Sequence, residues 1–161
     1  GLANRRSLDD KLKHEWKCGQ RSGAPLAFIL ADVDHFKRYN DHYGHQMGDE
    51  CLRLVAGAIA TTVFRPADLT ARYGGEEFAI IMPNTDLAGA TAVAERICVA
   101  VRDLAIRHAA SETSPRVSLS LGVAVQVPSA GSTPEMLIQS ADSALYRAKH
   151  DGRNRVVAAA A

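Results

Sequence analysis

Leu26-Ala27-Phe28-Ile29-Leu30-Ala31-Asp32-Val33-Asp34 is continuously apolar until it ends in two acids. A strand wetted on one face alternates apolar and polar residues, so this unbroken run predicts a central strand buried on both faces. Ligand-binding residues often sit where such a strand ends, which draws attention to Asp32 and Asp34.

Downstream of this strand, Phe36 to Tyr43 predicts a short helix stopped by Gly44. A second helix is expected from about Gly48, with Leu52, Val55, Ile59 and Thr62 on one stripe. Asp68 to Tyr73 and Phe78 to Met82 then read as strands around Gly74-Gly75, a pair suited to the positive φ of a two-residue hairpin. After Pro83 a long helix carries Val93, Ile97, Val101 and Leu104, and a strand runs from Val117 to Val125. Ser132-Thr133-Pro134-Glu135 opens a last helix that ends at Gly152, with Pro in its first turn and Gly past its end. Upstream, Ser7 with Asp10 has capping-box spacing, and Leu8, Leu12 and Trp16 mark one face of a first helix broken between Gly19 and Pro25. The terminal Ala run is expected to fray.

From Leu26 to Val125 the order is strand, helix, strand, strand, helix, strand, the split βαβ order of ferredoxin-like folds. The fold class is therefore α+β: a βαββαβ core, a central mostly antiparallel sheet flanked by helices, and an added N-terminal helix. A crossover makes the first two strands parallel and leaves the third between them, antiparallel to both. The end of the first strand then lies beside the start of the third. Asp32 and Asp34 should thus meet Glu76 and Glu77 at one edge of the sheet.

At 161 residues and 47% hydrophobic composition, residues 1–161 form one domain with its own core. Its 19 basic and 18 acidic residues balance to +1, which leaves no footprint for sequence-independent nucleic-acid binding. No apolar run approaches the length of a bilayer span, so no direct membrane contact is expected. Cys18, Cys51 and Cys98 lack metal-ligand spacing and suit reduced, buried thiols in a cytoplasmic domain. The start at Gly1 suggests a fragment of a longer protein, whose membrane tethering stays open.

Two carboxylates about 4 Å apart repel by roughly 4 kcal/mol at an effective dielectric of 20, so such a cluster takes up a proton or binds a cation. Oxygen ligands without His or Cys favour Mg²⁺ or Mn²⁺, which commonly complete their coordination with substrate phosphates. A structural ion-pair cluster using Lys37 or Arg72 is the alternative.

Gly74-Gly75-Glu76-Glu77-Phe78 resembles the signature hairpin of the GGDEF family of diguanylate cyclases in its Glu variant. The similarity extends to Asp32 through Asp49, to Ser120-Leu121-Gly122-Val123-Ala124 and to Asp142 through Asn154. Gly1-Leu2-Ala3-Asn4-Arg5-Arg6 resembles the family's opening motif with its first residues missing. The resemblance implies a nucleotidyl-cyclase, palm-like fold and condensation of two GTP into cyclic di-GMP with release of two pyrophosphates. It further implies two Mg²⁺ or Mn²⁺ ions per active half-site, held by Asp32, the Val33 carbonyl, Glu76 and Glu77. Glu76 would be the general base or its metal-bound equivalent, with Glu77 in a different role and Lys37 neutralising transition-state charge. Asn40 and Asp49 would read guanine, His45 would touch substrate, and Lys149 and Arg153 would hold phosphates. Arg65, Asp68 and Arg96 would bind cyclic di-GMP as an inhibitory product. A transient or regulated homodimer would join two GTP-loaded domains. Two rivals remain: a catalytically silent receptor for GTP or cyclic di-GMP, and a phosphatase with an Asp-x-Asp nucleophile.

Overall fold

The computed structural model describes residues 2–160; Gly1 of the opening motif and Ala161 of the terminal Ala run lie outside the described residues. In chain order the elements are α1 (Arg5–Ser22), β1 (Leu26–Val33), α2 (Phe36–Tyr43), α3 (His45–Thr62), β2 (Leu69–Arg72), β3 (Glu77–Pro83), α4 (Leu87–Asp103), β4 (Leu119–Gln126), α5 (Pro134–His150) and β5 (Arg155–Ala158). The sheet order is β2-β3-β1-β4-β5. β1 runs antiparallel to both β3 and β4, and β3 is antiparallel to β2. This is the expected ferredoxin-like core, with β5 added parallel to β4 at the edge.

β1 is apolar throughout because both of its faces are covered. Leu26, Phe28 and Leu30 pack with Leu8, Leu12 and Trp16 of α1 and with Leu137, Ala141 and Leu145 of α5. Ala27, Ile29, Ala31 and Val33 pack on the other face with α3 and α4 through Val55, Ile59, Val93 and Ile97. Fully burying a side chain such as Phe28 is worth about 1.5–3 kcal/mol, so each face anchors its helices firmly. α5 approaches β4 closely at Gly122, where a Cβ would overlap the backbone of Ala141 and Leu145.

Several local expectations differ from the structure. Asn4, not Ser7, caps α1: its side chain accepts from Ser7 N–H at 2.8 Å, so the cap sits three residues upstream of the expected one. α3 begins at His45, directly after Gly44, whose φ of 92° makes the elbow with α2. Neither Gly74 nor Gly75 has positive φ. The β2–β3 turn is longer than two residues and closes through Tyr73 N–H on the Glu77 carbonyl at 2.9 Å. The late strand starts at Leu119, two residues later than expected. The C-terminal tail is anchored as well, since β5 pairs with β4 and Ala159 N–H donates to the Val123 carbonyl at 2.7 Å. Tyr146 is 67% exposed and stacks on His150. All three cysteines are free, with Cys51 and Cys98 buried and Cys18 half-buried. Burial pushes the Cys51 thiol up to about 11, so it stays protonated at neutral pH.

Candidate active site

Strand register builds the site. Asp32 lies opposite Glu77 across the β1–β3 ladder, so these two side chains share a face. Val33 N–H donates to the Glu76 carbonyl at 3.2 Å, which ties the end of β1 to the residue before β3. Asp32 is only 7% exposed, and Lys149 near the end of α5 pairs with its Oδ2. Burial is the main cause that raises the Asp32 carboxyl from 3.8 to about 6. Lys149 pulls it down, and the carboxylates of Glu76 and then Glu77 push it up. The cation beside Asp32 is therefore Lys149, not Lys37 or Arg72. Arg72 instead donates to the Gly75 carbonyl at 2.5 Å.

Glu77 and Glu76 differ in setting. A Cβ on Gly74 would lie 2.8 Å from Glu77 Oε1, which shows that this carboxylate folds back over the turn. Glu76 precedes the ladder and is free of its alternation. Arg5 braces the turn from outside: its guanidinium lies 3.7 Å from the Tyr73 ring centroid and donates to the Tyr73 carbonyl at 3.1 Å.

Asp34 departs from the expected acid cluster. It turns toward β4, where it accepts from Ser118 Oγ at 2.7 Å, Ser120 Oγ at 2.6 Å and Asn154 N–H at 3.0 Å. The chain beyond Val33 leaves the ladder, so strand alternation no longer sets its direction. Ser118, Ser120 and Asn154 were not legible as its partners, because only the packing of β4 beside β1 brings them there.

α2 and α3 form the neighbouring wall. Lys37 is exposed on the first turn of α2, directly after the acids. Asn40 is half-buried with an unpartnered, buried Oδ1, and a Cβ on Gly48 would overlap that atom. The pair forms a close cradle in which a buried acceptor has capacity to spare. His45 and Asp49 are exposed on the first turns of α3, past the Gly44 elbow. Arg153 is half-buried in the turn after α5.

Arg65 and Asp68 come together as expected. The guanidinium is bidentate on Asp68, at 2.9 and 2.6 Å, and also donates to the Pro83 carbonyl and Thr85 Oγ1. The Asp68 side chain is buried. Arg96 stands exposed on α4 and makes no hydrogen bond to either residue among those described. It lines a shallow, open cavity of about 410 Å³ with Val99 and Ala100.

Among the described residues, no group of three or more His, Cys, Asp and Glu side chains is arranged so as to hold a metal ion. The donors at the sheet edge nevertheless fit a hard divalent cation. They are carboxylate and carbonyl oxygens, and Glu76 and Glu77 each push Asp32 toward protonation, as acids sharing one site do.

The fold and this acid-edged sheet define a split βαβ domain with a candidate phosphate and metal site at one end. Residues 1–155 match the family model described as "Diguanylate cyclase, GGDEF domain", and the chain belongs to that family. The response regulator PleD of Caulobacter vibrioides is 44% identical over 161 residues, all of this chain and 35% of PleD. The diguanylate cyclase DosC of Escherichia coli K12 is 41% identical over 155 residues, 96% of this chain and 33% of DosC. The chain thus spans about a third of the length of these relatives. The GGDEF domain of DgcB from Caulobacter crescentus, solved in complex with c-di-GMP, superposes with a TM-score of 0.89 at 36% identity. That match covers 99% of this chain and 90% of the DgcB domain. No helix among the described residues is long and apolar enough to cross a membrane.

Proposed function

We propose that this domain, as the catalytic part of a longer regulated protein, condenses two GTP into cyclic di-GMP with release of two pyrophosphates. The observation that carries this reading is the register of Asp32 opposite Glu77 with Val33 tied to Glu76, which brings these acidic residues to one end of the sheet. Asp32, the Val33 carbonyl, Glu76 and Glu77 would hold two Mg²⁺ or Mn²⁺ ions. When bound, such ions supply Lewis-acid polarisation of the α-phosphate and offset charge on the leaving pyrophosphate. Glu76, outside the ladder, takes the proton of the attacking ribose 3′-hydroxyl. Glu77, folded against the turn, completes the negative field around Asp32. Lys149 and Arg153 bind phosphate oxygens from the α5 side, and Lys37 meets them from α2 to offset transition-state charge.

Guanine is read by Asn40 and Asp49, with His45 beside them. The Asp49 carboxylate accepts from the N1 and N2 donors of guanine, while the Asn40 amide can both donate and accept. The spare acceptor of Asn40 in its Gly48 cradle supports this assignment. Each domain presents one GTP while the product holds two, so two domains meet about a two-fold axis and each 3′-hydroxyl attacks the other's α-phosphate. Cyclic di-GMP would bind at Arg65, Asp68 and Arg96 and inhibit. The unengaged face of the Arg65 guanidinium is then the part offered to the ligand.

Incubation of the purified domain with GTP and Mg²⁺, followed by mass identification of the products, tests the reading. Cyclic di-GMP and pyrophosphate are expected. Release of inorganic phosphate directly from GTP would point to a phosphatase, and unchanged GTP with measurable ligand binding would point to a silent receptor.

A further inference from the structure

Three consecutive residues after α5 have positive φ: Gly152 at 122°, Arg153 at 63° and Asn154 at 48°. Glycine adopts this region freely and asparagine tolerates it, but an arginine does so only when its surroundings hold it there. Three contacts do the holding. Arg153 N–H donates back to the Ala148 carbonyl at 2.9 Å, and Asn154 N–H donates to Asp34 Oδ2 at 3.0 Å. Arg102 of α4 donates to the Asn154 side-chain oxygen at 3.2 Å. Asp34 is 3% exposed and accepts three hydrogen bonds, two from the hydroxyls of Ser118 and Ser120 and one from this turn. Charge-assisted bonds of this kind are the strong ones, and their loss leaves donors buried and unpaired.

The two acids that end β1 therefore do different work on one segment. Asp32 meets the Lys149 side chain, and Asp34 grips the backbone of the turn that follows. We infer that Asp34 is a positioning residue: through Asn154 N–H it sets the left-handed turn that aims Arg153 at the triphosphate of bound GTP. The inference rests on the GTP reading proposed above. It assigns Asp34 no contact with substrate and no place among the metal ligands. Without the Asp34 acceptor, Arg153 relaxes out of its left-handed conformation and its guanidinium is no longer held toward the phosphates.

Asp34→Asn retains shape while removing the carboxylate, and Ser120→Ala is a milder variant that removes one donor and keeps it. Binding of guanosine and of the α,β-methylene analogue of GTP, which cannot release pyrophosphate, is measured with Mg²⁺ for wild type, Asp34→Asn, Arg153→Ala and the double variant. Asp34→Asn is expected to weaken the analogue about tenfold and guanosine less than about twofold, and to add less than about twofold in the Arg153→Ala background. Amide exchange over residues 148–156 should quicken in Asp34→Asn, and more weakly in Ser120→Ala, with or without nucleotide. Equal losses in both backgrounds, or unchanged exchange, would overturn the positioning role while the GTP reading stands. A wild-type domain that binds neither nucleotide would refuse the GTP reading and this inference together. If Asp34→Asn does not fold, Ser120→Ala takes its place in the cycle with Arg153→Ala, and the same pattern of losses, smaller in amplitude, supports or overturns the positioning role.

Discussion

Burial, against the pull of Lys149 and with the push of Glu76 and Glu77, raises the Asp32 carboxyl from 3.8 to about 6. A carboxyl whose pKa is higher in the folded state than in the unfolded one takes up its proton preferentially when folded. Its favourable contribution is fully present below about pH 4 and is lost as pH rises through 6. Near neutral pH the metal-free domain thus carries a carboxylate at a cost on the order of 1–3 kcal/mol. Asp32→Asn should accordingly stabilise the metal-free domain against urea at about pH 7.5, with the gain fading by about pH 4, while turnover is abolished. A variant less stable than wild type at the higher pH would contradict this. The same proton competes with a cation, so the apparent Mg²⁺ affinity measured by calorimetry should fall as pH drops through about 6. Gly48 makes a second residue-scale case, because a Cβ there would overlap Asn40 Oδ1. Gly48→Ala should raise the KM for GTP about tenfold, the size of one lost hydrogen bond to a polar group, and change kcat much less.

At the scale of elements, α5 must press on β4 for Lys149 to reach Asp32, and Gly122 is what permits that approach. Gly122→Ala drives a methyl into helix backbone that cannot step aside, so a loss of about 1–3 kcal/mol in urea unfolding is expected, with activity falling beyond the unfolded fraction. Arg5→Ala, which removes a stacked guanidinium and a carbonyl hydrogen bond from the Glu76 turn, should lower kcat more than stability. Much of this architecture could be read from the chain. The unbroken apolar run of β1 betrays burial on two faces, and the helix stripes and breakers carry their own periodicity. What escaped was set by partners remote in sequence. β5 is only four residues long, too short for a pattern of its own, and its place in the sheet is set by pairing with β4. The two-residue hairpin failed because neither glycine takes positive φ; Gly74 instead serves close approach, with Glu77 lying over it. Asp34 carries the same letter as Asp32 two positions away, and Ser118, Ser120 and the Asn154 N–H separate their roles.

For the whole molecule, the sheet places the acids at the C-terminal end of β1, with α2 and α3 on one side and the end of α5 on the other. Arg65 and Asp68 lie on the connection from α3 to β2, with Arg65 reaching Pro83 at the far end of β3. Pro83 pairs with Leu26, at the opposite end of β1 from Asp32, so Arg65 and Asp68, the proposed inhibitory residues, are separated from the acids by the length of the sheet. If the proposed sites hold, a ligand at Arg65 would not compete directly with GTP at Asp32, and inhibition there would act on how domains meet or on how they move. Arg65→Ala should abolish inhibition by added cyclic di-GMP while leaving the KM for GTP within about twofold, since a distant site contributes little to substrate contacts. In the proposed reaction each domain holds one GTP, so the encounter of two domains is itself a step, and the rate per domain should climb with domain concentration until pairing saturates. Initial rates over a wide dilution series separate the two ways in which inhibition could act. If cyclic di-GMP blocks pairing, its effect on wild type weakens as domain concentration rises. If it locks a pair in an unproductive arrangement, its effect strengthens, and in Arg65→Ala the dilution curve is unchanged by the ligand in either case.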